Sequence, residues 1–288
     1  MILTVPNWSF GRSPNLLRQC RALVESQPVC LHFCESDLDH NRTVIAFSAG
    51  DWGAIESTLD SLNALILDSI DLNRHSGVHP RIGALDVCPF IPVGEAPTLD
   101  LLADVEKYAS NFAARFGIPV FLYEKSERGR HESDLPALRK GGFGGLLLRG
   151  ELQPDFGPKA AHPQWGASVM GVRDFLIALN ANFHSGDLET ARLIAGAIRR
   201  LRQDGDPRFL GVRALGLPLA SQDVVQVSMN ITLPDLTPID PIAQYVLDAG
   251  ADEGLGRAKM ELIGVIRSTD APQATLIPYR PEQVVAWV

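Results

Sequence analysis

Residues 74–93, "RHSGVHPRIGALDVCPFIPV", bring His75, His79, Arg81 and Asp86 together ahead of an apolar run. Imidazole titrates near neutrality, so a histidine there can both give and accept a proton. A guanidinium such as Arg81 can grip a carboxylate substrate, and Asp86 can orient or charge a neighbour. The H-x3-H spacing of His75 and His79 suits metal only on a helix, but Gly77 intervenes and Pro80 biases His79 toward extended backbone. With no Cys or carboxylate cluster to complete a ligand set, no metal is expected. A histidine pinned in "HPR" before a buried strand has a fixed position, which suits acid–base work. On the residues alone, a histidine that merely satisfies the fold is an equally open reading.

The elements around this stretch follow from start signals and periodicity. Ser13-Pro14 opens a helix with Leu16, Cys20, Leu23 and Val24 on one face. A second begins near Asp51, carrying Ile55, Leu59, Leu62 and Ile66, and a third runs from Thr98 to Gly117. Short β-rich runs lie between them at residues 2, 29, 43, 83 and 118, so the order up to residue 93 is β-α-β-β-α-β. The second half repeats it: "DFLIALNANF", a helix over 187–203, "FLGVRALGLP", "DVVQVSMNIT", a helix from Thr237-Pro238 through Ala249, and "MELIGVI". The expected class is α+β, with units 1–166 and 167–288 each a split βαβ sheet with both helices on one face. Val225, Val227, Met229 and Ile231 alternate with Gln226, Ser228, Asn230 and Thr232, so one sheet face is apolar and the other rich in amides and hydroxyls. That polar face reads either as solvated or as one wall of a ligand cleft. "SERGRHESD" and "RKGGFGGLLLRG" read as ordered connections, because "KGGFGG" has the order of neither common phosphate-cradling loop.

Composition narrows the class. The chain has 288 residues, is 45% hydrophobic and 21% charged, and carries a net charge of −8. That balance fits a folded enzyme and argues against a nucleic-acid surface. Tandem β-α-β-β-α-β units also describe paired RNA-binding domains, but no aromatic RNA-binding run is present. No apolar run approaches the roughly 18 residues needed to span a bilayer, so no membrane partner is expected. Cys20, Cys30, Cys34 and Cys88 form no CxxC pair, and the N-terminus has no basic leader. Both point to a reduced, cytoplasmic protein.

A longer set of motifs sharpens the reading: "VPNWSFGR" at 5–12, "DHNRTV" at 39–44, "HSGVHPRIGALDVCPFIPV" at 75–93, "PVFLY" at 119–123, "LPALRKG" at 135–141, "PDFGP" at 154–158, "WGASVMGVRDFLIALNANF" at 165–183 and "VQVSMNI" at 225–231. In this order they resemble the glutamate formimidoyltransferases (glutamate formiminotransferases), over about residues 1–250. The resemblance implies transfer of a formimidoyl group between N-formimidoyl-L-glutamate and tetrahydrofolate, in histidine breakdown, with folate as co-substrate. It implies duplicated ferredoxin-like subdomains with facing sheets and helices outside. By the same resemblance His79 is the proton carrier, and Gly157, Pro158, Lys159, Ala160, Ala161, His162, Pro163, Gln164, Trp165 and Gly166 form the folate segment. Arg81, Arg12 and Arg42 are the candidate cations for glutamate carboxylates, and Asn7 and Asn41 sit in the matching motifs. Trp165 is either a plate for a pterin or a core residue.

Where the family usually has "PNFSEGR", a carboxylate is replaced by Phe10, and the often acidic position before the key histidine is Val78. Phe10 keeps two further readings open, a 5-formyltetrahydrofolate-processing enzyme and a noncatalytic folate-binding paralogue. A homodimer is the expected assembly, and with no cyclodeaminase domain after residue 288, that second activity is not expected.

Overall fold

The computed structural model describes residues 1–94, 98–184 and 187–287. The chain is a mixed α+β protein in two units, residues 1–173 and those from Asp174 onward.

In the first unit, β1 (Ile2–Thr4) and β2 (Asn7–Trp8) are followed by α1 (Pro14–Glu25), β3 (Cys30–Asp37), β4 (Arg42–Ala49), α2 (Trp52–Ile66) and β5 (Leu85–Pro92). Then come α3 (Thr98–Phe116), β6 (Val120–Leu122), α4 (Leu135–Leu138), α5 (Gly142–Leu148) and β7 (Ser168–Val172). The anticipated caps are in place. Ser13 Oγ accepts the Leu16 N–H at 3.3 Å, and the Asp51 carboxylate accepts the Ala54 N–H at 3.0 Å. Their apolar stripes, Leu16, Cys20 and Val24 on α1 and Ile55, Leu59, Leu62 and Ile66 on α2, are buried.

β1 and β2 share one lane between β4 and β5, because Pro6 interrupts the strand and the register shifts between Asn7 and Trp8. β3 pairs with β4 on one side, and β7 then β6 add in parallel beyond β5. The β7 pairings explain why the first unit extends to residue 173 rather than stopping near 166. Nor is its second sheet face bare. Leu138 of α4 and Leu146 of α5 pack with Ile82, Val87, Phe121 and Val169 in a separate apolar cluster. The glycine-rich "KGGFGG" is therefore partly helical: Gly141 and Gly142, at φ 83° and 61°, turn the chain into α5.

The main core holds one buried polar chain. Trp8 donates its indole N–H to Asn63 Oδ1 at 3.1 Å, and Asn63 Nδ2 donates to Tyr108 Oη at 3.0 Å, all three being fully buried. This links β2, α2 and α3 directly beneath the strand that leads to Phe10. Asn63→Leu would keep the number of side-chain heavy atoms and orphan the indole N–H, so it should cost about 1–3 kcal/mol in urea unfolding. A loss under about 0.5 kcal/mol would mean that the chain contributes little.

The second unit contains β8 (Ile177–Phe183), α6 (Leu188–Gln203), β9 (Val212–Leu219), β10 (Val224–Ile231), α7 (Ile239–Asp252) and β11 (Ala258–Ile263). The antiparallel order is β11-β8-β10-β9. The amide face exists and bonds to itself: Asn182 Nδ2 donates to Glu261 Oε2 at 3.2 Å, and Gln226 Nε2 to Asn182 Oδ1 at 2.9 Å. The tail, opaque in the sequence, adds β12 (Ile266–Arg267) and β13 (Val284–Val285), which pair in parallel. Arg267 fastens it, gripping Asp270 at 2.6 and 2.8 Å and Asp235 at 2.7 Å, with its guanidinium about 5.5 Å from the Phe175 and Trp287 ring centres.

Candidate active site

Residues 10–12, 37–42 and 74–84 are knotted together around one asparagine. Asn41 turns the β3–β4 hairpin in the left-handed region at φ 47°. Its Oδ1 accepts the Gly11 N–H at 2.8 Å and its Nδ2 donates to the Ser76 carbonyl at 3.1 Å. The close approach needs a residue without a side chain: a Cβ on Gly77 would lie 2.3 Å from the His40 carbonyl oxygen.

Arg81 serves this knot from inside. Its guanidinium donates to the carbonyls of Asn41 at 2.9 Å, of His79 at 3.0 Å and of His40, and its Nη1 lies 2.9 Å from His75 Nε2. The residue is 8% exposed, and its guanidinium is bonded to backbone carbonyls of the chain. His75 Nε2 also lies 2.9 Å from the Asn41 carbonyl oxygen, so by tautomer the ring either accepts from Arg81 or donates to that carbonyl. Burial first, and then the Arg81 charge, push the His75 pKa down to about 4. His75 is thereby a polar support of the knot.

His79 is half-buried at the knot's edge. Its Nδ1 lies 2.9 Å from the Pro80 carbonyl, so Nδ1–H donates there and Nε2 keeps a lone pair. The His40 ring is 5.6 Å away, centroid to centroid. Burial, and then the positive charges of Arg42 and Arg139 and the neighbouring His40, hold His79 well below the ordinary imidazole range. Arg42 and Arg81 are themselves pushed down to about 10, by burial first. Arg42 also faces Arg139 and Arg81, with Asp86 and Asp37 opposing them. A neutral imidazole beside crowded guanidiniums can take a proton from a nucleophile while anionic groups dock nearby.

Arg139 is the residue that spacing did not single out. It lies just past α4 and pairs with Asp86, their side chains 11% and 3% exposed. Asp86 Oδ1 also accepts the N–H groups of Ile82 at 2.7 Å and Gly83 at 3.2 Å. The only signal in the chain was the basic pair in "LPALRKG", which does not reveal a partner 53 positions earlier.

The other expected residues divide. Arg12 joins the rim, with Nε donating to the Leu38 carbonyl at 3.2 Å and Nη1 to Ser76 Oγ at 3.1 Å. Asn7 stays in β2 and donates to the Val5 carbonyl at 2.8 Å. Phe10 points into the main core, 6% exposed, so it adds apolar packing where a carboxylate was anticipated.

Along 157–166 the first half is open: Gly157, Pro158, Lys159 and Ala160 are exposed, and Lys159 Nζ bonds Glu151 at 2.6 Å. Ala161 packs against the second apolar cluster. The second half closes on residues 70–84. Asn73 donates to the Pro163 carbonyl at 2.9 Å, and Gln164 and Trp165 donate side-chain N–H groups to the Ile70 carbonyl at 2.8 and 3.2 Å. Trp165 stacks on His162 at 4.5 Å and 12°, so one of its ring faces is already covered. Gly166 bridges to Gly83 and ends the segment beside the strand mouth below His79.

Among the described residues no cluster of His, Cys, Asp or Glu could hold a metal ion, and no helix is long and apolar enough to cross a membrane.

Residues 1–173 match the formiminotransferase domain, N-terminal subdomain. The chain is 33% identical over 272 residues to glutamate formimidoyltransferase of Thermoplasma acidophilum, covering 92% of this chain and 88% of that protein. It is 34% identical over 231 residues to glutamate formimidoyltransferase of Streptococcus pyogenes serotype M1, covering 79% and 76%. With formimidoyltransferase-cyclodeaminase of Sus scrofa the identity is 32% over 271 residues, and the chain spans 50% of that protein's length.

Proposed function

Because the chain belongs to the formiminotransferase domain family, we propose that it transfers a formimidoyl group between N-formimidoyl-L-glutamate and tetrahydrofolate, with His79 as general acid and base. The observation that carries the role of His79 is its setting: a neutral, half-buried imidazole with Nδ1 tied to a carbonyl and guanidiniums alongside. In the transfer an amine attacks the amidine carbon, a tetrahedral intermediate forms, and the departing nitrogen must leave protonated. One base of low proton affinity can collect the proton from the attacking nitrogen at Nε2 and return it to the leaving one.

Arg42 and the rim residue Arg12 are the carboxylate partners in this reading, with Arg81 and Asn41 holding the knot. Residues 157–166 would line the folate, their exposed first half facing ligand and their second half fixing the wall. Two ferredoxin-like subdomains are supported by the shared lane order: β5, β1/β2, β4, β3 in one unit matches β11, β8, β10, β9 in the other. Residues from Asp174 onward would then be the C-terminal subdomain. A cytoplasmic homodimer completes the proposal, with light scattering as its test.

The deciding assay offers the purified chain N-formimidoyl-L-glutamate with tetrahydrofolate and, in parallel, 5-formyltetrahydrofolate, and identifies products by mass spectrometry. Appearance of 5-formimidoyltetrahydrofolate and free glutamate is expected. Turnover of the formyl substrate alone would make this a formyl-processing enzyme, and folate binding without either product a noncatalytic paralogue. Burial of Phe10 in the core favours the first outcome, because the replaced carboxylate leaves no new group facing a substrate.

A further inference from the structure

His79 stands on a short run of backbone that is fixed from several sides. Ser9 Oγ donates to the Gly83 carbonyl at 2.6 Å, and Ser9 N–H to that of Ala84 at 2.8 Å. Asp86 gathers the Ile82 and Gly83 N–H groups, closing the turn between His79 and β5 from within. Its remaining oxygen goes to Arg139, which arrives from the segment after α4 on the covered sheet face. Arg139 Nε is buried with no hydrogen-bond partner among the described residues, so the guanidinium is held by this one carboxylate.

We propose that Arg139 is a positioning residue for the reaction: locked to Asp86, it fixes the turn that presents His79 and keeps a permanent positive charge against that imidazole. The proposal rests on the reading of His79 as the proton carrier. The groups facing His79 are Arg42 and His40 from the β3–β4 hairpin and Arg139 from the 135–141 segment, while Arg81 of its own stretch donates to the His79 backbone carbonyl. Arg81 and Arg42 each have a further duty, the first to the knot and the second at the substrate rim. Arg139 is bonded to neither the knot nor the rim, and its partner is Asp86. A carboxylate at Asp86 is what allows a guanidinium to be buried there, since an unpaired one would be expelled toward water.

The test follows the His79 imidazole by NMR in the absence of substrate, its signal identified by loss in His79→Gln. The full chain is compared as wild type, Arg139→Lys, Arg139→Gln, and the double variant Asp86→Asn with Arg139→Gln. The double variant keeps two hydrogen-bonding amides where the ion pair stood, so it remains informative if Arg139→Gln alone does not fold. Arg139→Gln is expected to raise the His79 midpoint and Arg139→Lys to leave it near wild type, while the double variant, which removes one charge of each sign, should raise it by less. A midpoint no higher than wild type in the folded neutral variants overturns the proposal, as does an equal rise in Arg139→Lys. Activity decides the other question separately. If the midpoint rises but the acidic limb of kcat/KM does not follow it, His79 is not the proton carrier and the functional reading falls instead.

Discussion

Replacing His79 with alanine should lower kcat for formimidoyl transfer by about 10²–10⁴-fold, the usual contribution of a positioned general acid–base group. Stability should hardly change. The one hydrogen bond found for the ring is local, Nδ1 to the Pro80 carbonyl, and the knot around Asn41 and Arg81 does not pass through the imidazole. A change in unfolding free energy of about 1 kcal/mol or less is therefore expected, with an unaltered circular dichroism spectrum. The pH dependence has a definite sign. Because burial and the Arg42 and Arg139 charges depress the His79 pKa, the neutral imidazole that the proposed mechanism needs persists to lower pH than an ordinary histidine would allow. In kcat/KM the loss of activity on the acidic side should therefore fall below about pH 6.5, the unperturbed imidazole value. Steady-state rates of the wild type from pH 5 to 8 check this, and a rate for His79→Ala within a few-fold of wild type would remove His79 from the mechanism.

The limits of the sequence lie where a residue's partner is distant in the chain. Helix starts at Ser13, Asp51 and Asp187 were legible because a cap acts on N–H groups two or three positions away. Alternation in β10 revealed both faces of the second sheet for the same local reason. Arg81 shows the converse. Its charge and its place beside His79 suggested a substrate contact, yet the folded chain spends the guanidinium on its own carbonyls, and no local pattern records that commitment. Arg139 was hidden for the same reason, since its importance lies in Asp86 and not in its neighbours. The glycines of "KGGFGG" misled in a third way. Propensity read them as connection, while burial of Leu146 against Val87 and Val169 stabilises a helical turn that the glycines alone would not.

Gly166→Ala should be the most damaging small substitution in residues 157–166, lowering stability by about 3–5 kcal/mol through left-handed strain and backbone displacement together. The residue sits at φ 70°, and a Cβ there would fall 1.9 Å from the Ile82 carbonyl oxygen and 3.1 Å from Leu72 Cδ1. Neither neighbour can yield cheaply. The same Ile82 carbonyl accepts the Ala167 N–H at 2.9 Å, and its own N–H is held by Asp86. To admit the methyl group, residues 82–84 would have to move away from 166–167, taking with them the turn that presents His79. Stability and catalysis should consequently fail together, with Tm lower by about 10 °C and folate affinity and kcat both reduced at temperatures where the chain is still folded. Gly144→Ala supplies the contrast. That glycine lies within α5 at a negative φ, with nothing near its added Cβ, so alanine there should be neutral or stabilise by up to about 1 kcal/mol. Calorimetry on the two variants decides the matter: an unchanged Tm for Gly166→Ala would mean that residues 157–166 and the His79 turn are not mechanically joined through this contact.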